Sequence, residues 1–221
     1  MKNASRNLFV AGLLLAGISV ETVQAGEKGG WKSLFNGKDL KGWVIKSGEA
    51  TYKIEDDAIV GTTKKNSPNT FLCTKRKYGD FELEFEVNCD KGLNSGCQIR
   101  SALKGDKFGG RVNGPQVEIE HSGTKGAESG YIYGEAAGGW RTPKEDRTPH
   151  KHYQDGKWNH YRIVAKGPVI ETWINGNKVT KLIDEEIYQS HPKGLIGLQV
   201  HGVGDRGPFQ VRWRKLRVKE L

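Results

Sequence analysis

Gln116, Glu118 and Glu120 alternate with the apolar Val117 and Ile119 in the stretch from Asn113 to His121, NGPQVEIEH. Residues i, i+2 and i+4 of a β-strand point to one side, so this spacing predicts a polar face with both carboxylates and an apolar face for burial. Neighbouring same-face carboxyl groups have Cα atoms roughly 6.5 Å apart by strand rise. That is close enough for shared acid and base work. The same pattern also serves as ordinary solubilising charge, as Glu82, Glu84 and Glu86 would in FELEFEVNC. The flanking strands decide between the two.

Those strands are legible as short period-2 segments cut by Gly, Asn, Asp and Pro, the pattern of an antiparallel all-β domain. The clearest run from Phe81 to Cys89, Gly96 to Ser101, Gln116 to His121, Trp158 to Lys166, Val169 to Ile174, Leu195 to His201 and Phe209 to Lys219. Asn175-Gly176 between alternating runs predicts a hairpin pairing Glu171–Ile174 with Lys178–Lys181. Trp43, Phe81, Phe85, Trp158 and Leu198 are expected in or against the core. Parity places Gln98, Arg100, Gln116, Glu118, Glu120, Gln199 and His201 on one outer face, with Tyr131, Tyr133 and Trp140 nearby. Amides, carboxylates and aromatic rings together describe a sugar-binding groove, because rings stack on apolar sugar faces while amides and carboxylates bond the hydroxyls. The long connection from Gly134 to Lys157 is expected to wall this groove and present Trp140 to it.

The first residues carry Lys2 and Arg6, an apolar run from Leu8 to Val20, and a small-residue site ending at Ala25. This pattern predicts a cleaved signal peptide over residues 1–25 and a mature domain over 26–221, exported to the periplasm or beyond. No later apolar run approaches membrane-spanning length. Of 35 basic and 26 acidic residues, loss of Lys2, Arg6 and Glu21 leaves 33 and 25. The excess is dispersed rather than clustered, and export further argues against a nucleic-acid partner. Cys73, Cys89 and Cys97 leave one thiol over; Cys89 and Cys97 could face each other across a hairpin or remain buried thiols. No cofactor is expected. His150 and His152 could share one side of an extended loop and contribute to a divalent metal site, but two ligands fall short of a complete set.

Taken in order, Trp31-Lys-Ser-Leu-Phe-Asn-Gly-Lys-Asp-Leu-Lys-Gly-Trp43, Asn94-Ser-Gly-x-x-x-Arg100, Gly114-Pro-Gln-Val-Glu-Ile-Glu120, Gly130-Tyr-Ile-Tyr133-Gly, Gly156-Lys-Trp-Asn-x-x-Arg162, Trp173-Ile-Asn-Gly176 and Gly194-Leu-Ile-Gly-Leu-Gln-x-His201-Gly resemble the 3-keto-disaccharide hydrolase domain family. The resemblance implies a concanavalin-like jelly roll of two stacked antiparallel sheets acting on glycosides oxidised at C3. For such chemistry Glu118 is expected as base or acid with Glu120 as its partner, Arg100 as the stabiliser of an enolate oxygen and His201 as an alternative proton donor, while Asn94, Gln98, Gln116, Tyr133, Trp140, Gln199 and His201 are expected to bind substrate. Many members carry Glu, Gln and Asp where this chain has Gln116, Glu118 and Glu120, so a carboxylate has moved along the strand. A ketone at C3 acidifies the C2 proton, so elimination of the C1 substituent followed by hydration amounts to hydrolysis. Two other readings fit the same residues: a two-carboxylate glycosidase on unoxidised sugars, and a non-catalytic carbohydrate-binding jelly roll.

Overall fold

The computed structural model describes residues 29–120 and 128–221. The leader expected over residues 1–25, and His121, lie outside the described residues. Two antiparallel sheets stack face to face as a jelly-roll sandwich. One sheet contains β1 (Lys32–Ser33), β3 (Thr51–Glu55), β4 (Ala58–Thr62), β6 (Phe81–Cys89), β11 (Asn159–Lys166), β12 (Val169–Ile174), β13 (Asn177–Ile183) and β15 (Gln210–Glu220). The other, which carries the polar face, contains β2 (Trp43–Lys46), β5 (Thr70–Thr74), β7 (Ser95–Lys104), β8 (Arg111–Ile119), β9 (Ile132–Glu135), β10 (Gly139–Trp140) and β14 (Leu195–Val200). Its order is β10-β9-β8-β7-β14-β5-β2. A short helix, α1 (Glu185–Ser190), capped by Asp184, precedes β14. No helix among the described residues is long and apolar enough to cross a membrane.

Alternation explains the sandwich. Phe81, Leu83, Phe85 and Val87 of β6, with Tyr161 and Ile163 of β11, meet Cys97, Ile99, Val117, Ile119 and Leu198 of the facing sheet in one continuous core. Each such apolar side chain stabilises the fold by about 1.5–3 kcal/mol on burial, which fixes the strand register and thereby turns the alternate residues outward. The hairpin at Asn175-Gly176 forms with φ of 50° and 81° at its two central residues, and Glu171 pairs with Lys181 as the spacing predicted.

Trp43, Phe81, Phe85 and Leu198 are buried as expected, but Trp158 is not a core residue. Inward parity on β11 belongs to Asn159, Tyr161 and Ile163, so Trp158 lies on the outer face, where the Arg214 guanidinium stands 4.1 Å from its ring. Glu82, Glu84 and Glu86 on that outer face are paired with Arg162, Arg217 and Arg214. The three cysteines are buried free thiols. Cys89 ends β6 in one sheet while Cys97 lies in β7 of the other, so no hairpin joins them, and burial pushes both thiols far up from their ordinary pKa.

Candidate functional site

On the outer face of the seven-stranded sheet, a groove of about 330 Å³ is lined by Asn69, Asn94, Gln116, Glu118, Glu120, Tyr133, Glu135, Trp140, Gln199 and His201. Strand pairing assembles it: Gln116 of β8 stands opposite Gln98 of β7 on one side and Tyr133 of β9 on the other. Glu118 stands opposite Gly96. A Cβ at Gly96 would come within 2.4 Å of the Gln116 side chain, so glycine is required there for the amide to lie across its neighbour.

A directed chain of hydrogen bonds runs under this floor. Ser101 Oγ donates to Gln98 Oε1 (2.5 Å), Gln98 Nε2 to Gln116 Oε1 (2.7 Å), and Gln116 Nε2 to Glu118 Oε1 (2.6 Å). Asn94 Nδ2 bridges the two carboxyls, donating to Glu118 Oε2 at 3.2 Å and Glu120 Oε1 at 2.7 Å. Gln98 is therefore a support for Gln116 beneath the groove rather than part of its lining. Glu118 is only 5% exposed. Burial pushes its carboxyl up to about 8 against the lowering effect of the Gln116 and Asn94 hydrogen bonds, with repulsion from Glu120 and Glu135 adding to the rise. Desolvation of the charged form outweighs those donors, leaving mostly a neutral acid at pH 7 beside a second carboxyl.

Three buried polar atoms at the groove, Asn94 Oδ1 and Gln199 Oε1 and Nε2, have no hydrogen-bond partner among the described residues. An unmet buried polar group costs about 1–3 kcal/mol, so these atoms are poised to bond a polar ligand. His201 donates from Nδ1 to Gly202 O at 2.7 Å, which leaves Nε2 of the neutral ring as an acceptor. Tyr133 meets Trp140 edge to face, with centroids 5.4 Å apart, and Arg147 packs 4.1 Å from the Trp140 ring. The segment from Gly134 to Lys157 thus begins as the β9–β10 hairpin and walls the groove through Trp140, rather than forming one structureless loop.

Arg100 does not share this face. The β7–β8 register shifts between Gln98 and Ala102, and Arg100 has φ of 49°. Such a bulge inverts the parity of the residue that follows it, and the side chain is buried away from the groove. Its Nε donates to Gly79 O, Nη1 to Gly167 O and Nη2 to Asp80 Oδ1, each at 2.7 Å. The oxyanion role expected of it has no geometry to support it. Tyr131 is also absent from the lining, its hydroxyl donating to Thr148 O. His150 and His152 stack at 4.7 Å, and His150 Nε2 donates to Ser129 O. Among the described residues no three His, Cys, Asp or Glu side chains are grouped to hold a metal ion.

Asn69 and Glu135 also line the groove, outside the set expected from the sequence. Glu135 was readable: it lies two residues beyond Tyr133 on the same strand and so shares its face. Burial raises its pKa, while Arg111 and His201 oppose the rise. Asn69 carries no such signal, because it precedes β5, whose residues are buried on both faces and mark neither as a groove. It donates to Glu135 Oε2 at 3.4 Å and accepts from Gly202 N at 2.9 Å.

Residues 30–219 match the family described as the 3-keto-alpha-glucoside-1,2-lyase-like domain. No curated protein matches the chain in sequence. Among solved structures, a candidate glycosyl hydrolase of Parabacteroides distasonis is similar at TM-score 0.61 and 19% identity, over 87% of this chain and 94% of its own. The carbohydrate-binding module CBM66 of Bacillus subtilis is similar at TM-score 0.53 and 17% identity, over 81% and 96%. The carbohydrate recognition domain of Emp47p is similar at TM-score 0.55 and 14% identity, over 85% and 93%. At these identities the likeness establishes the shared fold.

Proposed function

Because the chain belongs to the 3-keto-alpha-glucoside-1,2-lyase-like domain family, we propose that it cleaves glycosides oxidised at C3, by elimination across C1 and C2 followed by addition of water. The observation that carries this reading is Glu118, a buried carboxyl held as a neutral acid at a groove floor beside the unpartnered Gln199 amide. Elimination through an enolate needs a base at C2, donors at the enolate oxygen and an acid at the leaving oxygen. Glu120, fixed by Asn94, takes the C2 proton. Glu118 and the Gln199 amide donate to the C3 oxygen as it gains charge, the role expected of Arg100. A carboxylic acid kept neutral by its surroundings is suited to that task. Collapse of the enolate forms the C1–C2 double bond and breaks the bond from C1 to the leaving oxygen, which Glu135 protonates. His201 Nε2 accepts from a sugar hydroxyl, and Tyr133 and Trp140 supply the apolar wall. We place the reaction outside the cytoplasm on the strength of the leader-like residues 1–25.

Incubation with a 3-keto-glucoside in deuterium oxide, followed by NMR, is expected to show aglycone release with deuterium at C2, and no release from the unoxidised glucoside. Release from the unoxidised sugar alone would replace this reading with direct displacement by two carboxylates. Binding of both sugars with turnover of neither would make the groove a carbohydrate-binding site. Trp140→Ala is expected to raise KM about five- to tenfold through loss of a stacking surface worth about 1 kcal/mol, with an unchanged melting temperature; an unchanged KM would remove Trp140 from the site.

A further inference from the structure

Beyond Glu135 and Asn69, which form a common wall, the groove opens into a second chamber of about 680 Å³, roughly twice the volume of the first. Its floor continues the same sheet face, since Phe71 of β5 pairs with Gln199 of β14. Opposite the floor stands Phe108, 42% exposed and held at φ of 52° in the turn Lys107–Gly109. Left-handed backbone is unfavourable for a bulky residue and persists where its surroundings impose it. Here Ser47 imposes it: its N–H donates to Phe108 O (3.1 Å), its Oγ donates to Gly110 O (3.1 Å), and that Oγ accepts from Val112 N (2.7 Å). The result is a fixed aromatic platform facing an open chamber. Lys107 and Arg111 also line it: Lys107 Nζ stands 5.4 Å from the Phe108 ring, and the Arg111 charge acts on Glu135, opposing the rise that burial gives its pKa. Among the described residues Glu135 is the one acidic side chain in the lining, and it sits at the junction with the groove.

We propose that this second chamber seats the leaving group of the substrate, and that the leaving group is aromatic and carries an acid, with its ring against Phe108 and Phe71 and its carboxylate toward Lys107 and Arg111. This rests on the reading of the first groove as the sugar site. A planar ring meets Phe108 in an offset or edge contact. Two cationic groups facing one chamber favour a carboxylate over a neutral amide of equal size, and their charge exceeds that of the Glu135 carboxyl beside Arg111.

The test compares 3-keto-glucosides of 4-hydroxybenzoate and of 4-hydroxybenzamide, alongside calorimetric binding of free 4-hydroxybenzoate. Wild-type protein is expected to prefer the benzoate by about tenfold in kcat/KM, a difference equivalent to about 1.4 kcal/mol. Arg111→Gln together with Lys107→Gln should bring that ratio close to one, and Phe108→Ala should weaken binding of free 4-hydroxybenzoate at least fivefold. A wild-type ratio near one together with no binding of the free acid would overturn the proposal. If neither keto-glucoside is turned over but 4-hydroxybenzoate binds and Phe108→Ala weakens it, the chamber stands and the reaction assigned to the groove fails.

Discussion

Glu118→Gln is expected to lower turnover of a 3-keto-glucoside by about a thousandfold, within the range that a positioned acid or base contributes, while making the protein more stable at neutral and alkaline pH. Both effects follow from burial. The folded carboxyl titrates near 8 and the unfolded one near its ordinary 4.5. Between those values the folded chain holds a proton that the unfolded chain has released, so stability falls as pH rises through this window. Below about 4.5 both states are protonated and the contribution is complete; above about 8 it is gone. The accumulated loss is a few kcal/mol on the linkage relation. An amide at position 118 does not titrate, so the variant's melting temperature should be flatter with pH and should exceed that of the wild type most clearly at pH 8 to 9. Melting curves from pH 4 to 9, read beside the rate of aglycone release, check both parts. A variant that keeps near wild-type turnover would show that Glu118 does not act on substrate. A variant whose melting temperature follows the wild-type pH curve would show that the carboxyl is not held neutral.

Arg100→Met is expected to have the opposite signature: a loss of about 2–4 kcal/mol in stability, with turnover per folded molecule within about twofold of wild type. The guanidinium joins three places that are distant in the chain. It bonds Gly79 O and Asp80 ahead of β6 and Gly167 O in the β11–β12 turn, and it lies 5.2 Å from the Tyr188 ring of α1. Removing it strands two backbone carbonyls and one carboxylate, each costing about 1–3 kcal/mol if left unmet. The total is reduced because Asp80 is about one-third exposed and also accepts from Gly167 N. Urea unfolding gives the stability, and rates measured at 10 °C, where the variant remains folded, give the chemistry. A large drop in kcat with an unchanged urea midpoint would return Arg100 to the catalytic set.

Arg100 also marks the limit of what alternation can say. Period-2 patterning is a local property, and wherever strands run without interruption it carried the reading through: Gln116, Glu118 and Glu120 on β8 and its extension, Gln199 and His201 at the end of β14, and the apolar set of β6 all face as their spacing implies. The hairpin at Asn175-Gly176 was equally local, because a tight turn between paired strands demands positive φ at those two residues. One residue in the left-handed region between Gln98 and Ala102 was enough to send Arg100 to the other side of the sheet. Trp158, just outside β11, differs from the core residues of that strand by a single step of parity. No count of alternations predicts the reversal at Arg100, since its bulge is chosen by the register of β7 against both β8 and β14, whereas counting back from Tyr161 and Ile163 does place Trp158 outside.

The sequence by itself determined the sandwich, its polar face and most of the residues on it, because each follows from interactions between near neighbours in the chain. Tertiary structure alone decided that Glu118 is a buried neutral acid rather than a surface charge, that Asn94 bridges it to Glu120, and that Asn69 and Glu135 separate two chambers. Solvation and pairing of a carboxyl depend on which side chains from β7, β9 and β14 close over it, and those strands are brought beside β8 only when the two sheets bury their common core.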